Sequence, residues 1–265
     1  MKFSCCIEMI FTEYDFITRI HKAKEAGFDC VEFWCWQDKD IEAIKKALDD
    51  TGLQVAVFQG NLEGRMVDPA DHETYIAGVM KSVETAKYLG ADTLFLMSDL
   101  MKEDRSVLEA PYPISFDEKM ESTKAVMKAL IPVADENGFT FVIEPLNTKV
   151  DHMGYSLCNS TPAFQLIREI NHPGMRMLYD AYHMQIMEGN IIDTIKAGID
   201  TIGHFHVADV PGRFEPGTGE LNYPVIIKAL QDAGYAGKVG FEFTPKNGSS
   251  ENVVKRVFDM IKSQL

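Results

Sequence analysis

Short apolar runs rich in Val, Ile, Phe and Leu alternate along the chain with longer stretches whose hydrophobic positions recur every three or four residues. The runs predict strands beginning near Phe3, Phe28, Leu53, Asp92, Phe139, Met175, Ile202 and Lys238, because brief apolar segments bounded by turn residues suit buried strands. The stretches between them predict amphipathic helices. Phe16, Ile20, Ala23 and Ala26, or Val79, Val83, Ala86 and Leu89, would each fall on one helical face. Gly27, Gly52, Gly90, Gly138 and Gly234 stand just beyond such stretches, where a left-handed cap residue is favoured. The βα unit therefore repeats eight times.

That repeat predicts an α/β fold in which eight parallel strands close into a single (β/α)8 TIM barrel with outer helices, one domain over residues 1–265. No Ser/Gly-rich linker, low-complexity tract or composition shift marks a second domain. Four connections are longer than the rest, near residues 60–71, 98–115, 147–161 and 209–222. All follow strands, which puts them on the face formed by the strand C-terminal ends, where barrel function resides.

Charge narrows the function. The 26 Lys and Arg against 40 Asp and Glu leave a formal charge of −14, with no concentrated basic patch, so a nucleic-acid partner is not expected. No apolar run approaches the roughly 18 residues of a membrane span, and no membrane association is expected. The opening residues meet Glu8 before a signal-peptide core could develop. Cys5, Cys6, Cys30, Cys35 and Cys158 form no CxxC pair, and reduced thiols in a cytoplasmic protein fit them best.

The last four predicted strands all end in side chains able to bind a metal. Strand five ends Phe-Val-Ile-Glu144, strand six Leu-Tyr-Asp180, strand seven reads Gly-His204-Phe-His206 and strand eight Gly-Phe-Glu242. In a closed barrel neighbouring strand ends approach one another, so Glu144, Asp180, His206 and Glu242 would converge despite spacings of 36, 26 and 36 residues. Each alone reads as a surface or capping group, but four successive coincidences favour a shared site. An ionised carboxylate among apolar neighbours is costly unless paired or bound to a cation. Three carboxylates and one imidazole suit one divalent ion, with Mn²⁺, Mg²⁺ or Co²⁺ preferred over Zn²⁺. His206 is the chosen ligand and His204, two residues deeper, the structural histidine.

The strings Ile-Glu144-Pro-Leu-Asn, Tyr-Asp180-Ala-Tyr-His183-Met-Gln and His206-Val-Ala-Asp-Val-Pro-Gly-Arg213, followed by Gly-Thr-Gly-Glu220, resemble those of hydroxypyruvate isomerases, within the xylose-isomerase-like TIM barrels. The resemblance implies that Glu144, Asp180, His206 and Glu242 hold the metal, that Glu144 and Glu242 form the catalytic acid/base pair, and that His183 and Arg213 bind substrate oxygens. It implies a small keto acid or sugar as substrate. Bacterial members of that branch commonly carry glutamine where this chain has His206, and histidine there is the choice of ketose 3-epimerases.

Such a site would polarise adjacent carbonyl and hydroxyl oxygens, acidify the intervening C–H and stabilise an enediolate. Return of the proton to the neighbouring carbon gives aldose–ketose isomerisation, and return to the opposite face of the same carbon gives epimerisation. A ketose 3-epimerase is therefore the nearest alternative, and an inosose-dehydratase-like lyase a further one. Phe11, Trp34, Trp36, Phe58 and Phe214 are candidates for an apolar wall over the substrate, with core or loop packing as the alternative. Glu32 is either a member of a buried network or a site carboxylate. Met184, Ile186 and Met187 read as hydrophobic filling or as a contact between copies in a homo-oligomer.

Overall fold

A computed structural model describes residues 1–246 and 248–262. The strands are β1 (Lys2–Cys6), β2 (Cys30–Glu32), β3 (Gln54–Val55), β4 (Phe58–Gln59), β5 (Thr93–Leu96), β6 (Thr140–Ile143), β7 (Met175–Asp180), β8 (Ile202–Val207) and β9 (Lys238–Phe241). Between and after them run α1 (Phe16–Glu25), α2 (Ile41–Thr51), α3 (His72–Leu89), α4 (Phe116–Ala129), α5 (Ile131–Asn137), α6 (Ser160–Ile170), α7 (Ala181–Met187), α8 (Ile191–Gly198), α9 (Tyr223–Asp232) and α10 (Ser250–Lys262). All strand pairings are parallel, in the order β3-β2-β1-β9-β8-β7-β6-β5-β4. The result is a nearly closed barrel.

The described residues thus form nine strand segments where the sequence pattern predicts eight. The difference lies in the third predicted strand, which breaks at Ala56 and Val57. Its first half pairs with β2 and its second half with β5. Hydrogen bonds from Ala56 N–H to Val31 O (2.7 Å) and from Gln59 N–H to Trp34 O (3.0 Å) keep the segment along β2 while it turns towards β5.

Local chemistry explains the punctuation. Asp40 caps α2 by accepting the Ala43 N–H, and Gly52 closes that helix at φ 69°. Ile44, Ala47 and Leu48 form its buried stripe. Ser115 and Glu118 form a reciprocal capping box at the start of α4. β5 reads Thr-Leu-Phe-Leu and is buried throughout, as expected of a parallel strand covered on both faces. Met184 is buried, and Met187 Sδ accepts the Thr148 N–H at 3.4 Å, so both pack within the chain.

Two register facts position the chemistry. Asp180 pairs with His206, and His206 pairs with Gly240, two residues before Glu242. Side chains two apart on a strand share a face, so the side chains at these strand ends project to one side.

Candidate active site

Glu144 follows β6 by one residue, Asp180 closes β7, His206 lies near the end of β8 and Glu242 follows β9 by one residue. The structure brings all four together: each offers one donor atom, and these atoms lie within 4.8 Å of one another. All four side chains are buried. His206 Nδ1 stands 2.8 Å from Glu242 Oε2 and 3.8 Å from Glu144 Oε1. Neither His206 Nδ1 nor Glu144 Oε1 has an aligned hydrogen-bond partner. Orphaned buried lone pairs are costly. The closest pair, at 2.8 Å, matches the edge of about 3 Å of an octahedron with bonds of about 2.1 Å, and the wider pairs need small inward shifts, so the donor set is compatible with a divalent cation.

The electrostatics agree. Burial pushes the Glu144 carboxyl up, His206 opposes the rise, and the charges of Glu242 and Asp180 add to it. Burial also raises Asp180 against the pull of Arg213 and His206. Burial acts in the same sense at Glu242, but the charges of Arg213 and His206, with the hydrogen bond from Trp34, hold that carboxyl well below its usual range. Three carboxylates thus share one guanidinium and one imidazole, leaving a surplus of negative charge.

Glu32 orients the imidazole. Its Oε1 lies 3.1 Å from His206 Nε2, and its Oε2 lies 3.1 Å from His204 Nε2. Burial alone would raise Glu32, but His206 and His204 outweigh it and hold the carboxyl at about 2. The ionised Glu32 contacts Nε2 as a close ion pair without an aligned hydrogen bond, which favours a proton on that nitrogen and leaves Nδ1 towards the carboxylate cluster, as in a carboxylate–histidine–metal triad. Gly240 makes room for it, since a Cβ there would sit 2.3 Å from Glu32 Oε1. Glu32 is thus a network member that positions His206.

His183 has a defined tautomer. Asn147 Oδ1 accepts the N–H groups of Val150 (3.0 Å) and Asp151 (3.1 Å), which fixes its amide orientation. The Asn147 backbone N–H and Nδ2 then both point at His183 Nδ1, at 3.2 and 2.7 Å. Nδ1 therefore accepts, and the proton sits on Nε2. Burial, with the charges of Arg213 and His152, keeps this imidazole neutral by pushing its pKa well below 6.5. Nε2 lies 3.5 Å from Asp180 Oδ2 and is otherwise unpartnered, so it is a hydrogen-bond donor for a ligand oxygen. The same tautomer argues against a second cation among Asp151, His152 and His183, although their donor atoms also lie close together.

Arg213 reaches the cluster from the loop after β8. Its terminal nitrogen donates to Glu242 Oε2 at 2.5 Å and Asp180 Oδ2 at 3.0 Å, and its guanidinium packs over Tyr182. Asp209 builds the loop by accepting five backbone N–H groups, those of Val210, Gly217, Thr218, Gly219 and Leu221, at 2.9 to 3.1 Å. Arg213 sits at φ 56°, and its carbonyl accepts the Thr244 N–H at 2.9 Å.

These groups open on a cavity of about 190 Å³ lined by Glu144, Glu242, His183 and Arg213 among others. Of the five aromatic candidates only Trp34 lines it, and its indole N–H donates to Glu242 Oε1 at 2.7 Å. Trp36 bonds Ser82, Phe58 stacks on Phe33, Phe11 is fully buried and Phe214 lies beneath Lys246. The apolar side is formed instead by Phe95, Met97 and Leu146. Asn147 and His152 were not singled out by the sequence pattern, because only the folded loop shows what they face.

A parallel βα barrel with a carboxylate–histidine centre at its strand C-terminal ends defines the class of protein. The chain belongs to the xylose isomerase-like TIM barrel family, whose model matches residues 20–264. It is 30% identical to a hydroxypyruvate isomerase of Escherichia coli over 93% of this chain and 94% of that protein. It is also 30% identical to a 2-oxo-tetronate isomerase of Cupriavidus necator over 94% of this chain and 95% of that one. A Brucella melitensis crystal structure described as an AP endonuclease, family 2, superposes with a TM-score of 0.87 at 28% identity, covering 97% of this chain and 98% of that chain.

Proposed function

We propose that this protein is a divalent-metal-dependent isomerase that converts a small keto acid into its hydroxyaldehyde isomer through an enediolate. The chain would then be one (β/α)8 domain in which β3 and β4 are halves of one barrel strand. The observation that carries it is the pair Glu144 and Glu242 lining one small cavity with the His183 N–H and the Arg213 guanidinium. The two isomerase relatives support the same chemistry. A nuclease reading, suggested by the name of the Brucella structure, is opposed by the net charge of −14.

Glu144, Asp180, His206 and Glu242 would hold the ion, with Mn²⁺, Mg²⁺ or Co²⁺ preferred. Such an ion, when bound, supplies Lewis acidity to adjacent carbonyl and hydroxyl oxygens. Glu144 is the first base, because its Oε1 is free of hydrogen bonds whereas both oxygens of Glu242 are engaged by Trp34 and Arg213. It removes the C–H proton from the hydroxyl-bearing carbon. A proton returned to the neighbouring carbon, with transfer of the hydroxyl proton to the former carbonyl oxygen, completes the isomerisation. Glu242 serves this second half from the other wall. Arg213 and the His183 Nε2–H stabilise the charge that develops on oxygen.

Chelation should abolish turnover of hydroxypyruvate, and Mn²⁺, Co²⁺ or Mg²⁺ should restore it with a product of unchanged mass. Full activity in protein shown metal-free by elemental analysis would overturn the assignment, and loss of water from the substrate would replace isomerase by lyase.

A further inference from the structure

A keto acid brings a carboxylate into the cavity, where one terminal nitrogen of Arg213 is already shared between Asp180 and Glu242. A second cation lines the same cavity: Arg105, from the loop between β5 and α4. A small hairpin presents it. Met101 and Val107 form an antiparallel bridge, the Lys102 N–H reaches Ser106 O at 2.8 Å, and the Arg105 N–H reaches Lys102 O at 3.0 Å. Asp104 Oδ1 ties the return by accepting the Ser106 N–H at 2.9 Å. The Val107 N–H donates to Met153 O at 3.0 Å, fastening the hairpin to the loop that carries His152.

Arg105 is solvent-exposed at the cavity mouth, and three features point to a ligand there. It occupies the left-handed region at φ 64°, where glycine or asparagine would be less strained. Its guanidinium has no hydrogen bond or ion pair with any described residue, and it lines the cavity. Beside it His152 Nδ1 is buried without a partner. Burial, with the charges of Arg213 and Arg105, lowers His152 to about 4, so this ring is a neutral hydrogen-bonding group. The cavity of about 190 Å³ has room for roughly six water-sized groups at about 30 Å³ each, the scale of a three- or four-carbon acid.

We propose that Arg105, with His152 beside it, recognises the substrate carboxylate and selects three- and four-carbon keto acids over neutral ketoses. This rests on the isomerase reading above. A guanidinium fork suits a carboxylate through paired hydrogen bonds, and the unpaired cation at the cavity wall supplies one.

The test compares metal-loaded wild-type, Arg105→Gly and Arg105→Lys proteins on hydroxypyruvate and on dihydroxyacetone, its neutral counterpart, by NMR in D₂O. Glycine accepts a positive φ without strain, so the first variant removes the side chain while sparing the hairpin. Loss of the charged contact should raise KM for hydroxypyruvate about 10- to 100-fold, with a smaller change in kcat. The preference for acid over neutral substrate in kcat/KM should fall by a similar factor, and lysine should restore part of it. An unchanged KM for hydroxypyruvate in Arg105→Gly, with the wild type active on it, would overturn the role of Arg105 alone. A wild type that processes dihydroxyacetone or larger ketoses but not the acid would overturn the keto-acid reading and this inference together.

Discussion

Glu144 and Glu242 are chemically alike but differently held, and that difference predicts different phenotypes. Glu242 is fixed by Trp34, Arg213 and His206, whereas Glu144 faces the cavity with an unpartnered oxygen. Glu144→Gln should lose both product formation and exchange of the substrate C–H for deuterium, by roughly 10²- to 10⁴-fold, the usual worth of a general base. Glu242→Gln should lose product formation to a similar degree while retaining measurable exchange. Near-normal turnover in either metal-loaded variant would sink the two-glutamate mechanism. His152 gives a second test, of stability. Its pKa falls from 6.5 to about 4 on burial, so between those pH values the unfolded chain binds more protons than the folded one. Its contribution to stability is therefore full above about 6.5 and fades as pH falls towards 4, by at most about 3 kcal/mol. Urea unfolding at pH 7 and pH 4.5 should show a smaller loss in His152→Asn than in the wild type. Identical losses would show that His152 does not titrate as described.

The loop after β8 is the element on which Arg213 depends, and one carboxylate holds it. Asp209 is fully buried and accepts five backbone N–H groups. Asp209→Ala should cost about 3 kcal/mol, since it strands two buried and three partly buried donors, and should remove activity by releasing Arg213. A variant with wild-type stability and turnover would show that the loop is held by other contacts. Elements of this kind were only partly legible in the sequence. The strand starts read from hydrophobic runs lie within two residues of those observed, and all five glycines taken as helix stops have positive φ, because both signals are local. The convergence of Glu144, Asp180, His206 and Glu242 was legible because each ends a strand in one parallel sheet. The break at Ala56 and Val57 was not, since it depends on pairing with two different neighbours. Glu32 was legible only as one of two alternatives, network member or site carboxylate, because its partner His204 lies 172 residues away; the hairpin carrying Arg105 was not legible, since it has no hydrophobic period to announce it.

At the scale of the molecule, the candidate site lies at one end of the barrel. Among the described residues, nine parallel strand segments bring the candidate site residues to their C-terminal ends, and the long loops that follow add Arg213, His152 and Arg105 around a small cavity. No helix among the described residues is long and apolar enough to cross a membrane. Proton transfer between adjacent carbons of a keto acid is the reaction proposed for this end of the barrel. The most direct measurement is an NMR time course of the Mn²⁺-reconstituted protein with hydroxypyruvate in D₂O, with the metal removed before spectra are taken. Tartronate semialdehyde, the hydroxyaldehyde isomer, should form with loss of a hydroxymethyl proton, and chelated protein should show neither. A reconstituted protein, with metal content verified, that forms no isomer and exchanges no substrate proton would contradict the proposal.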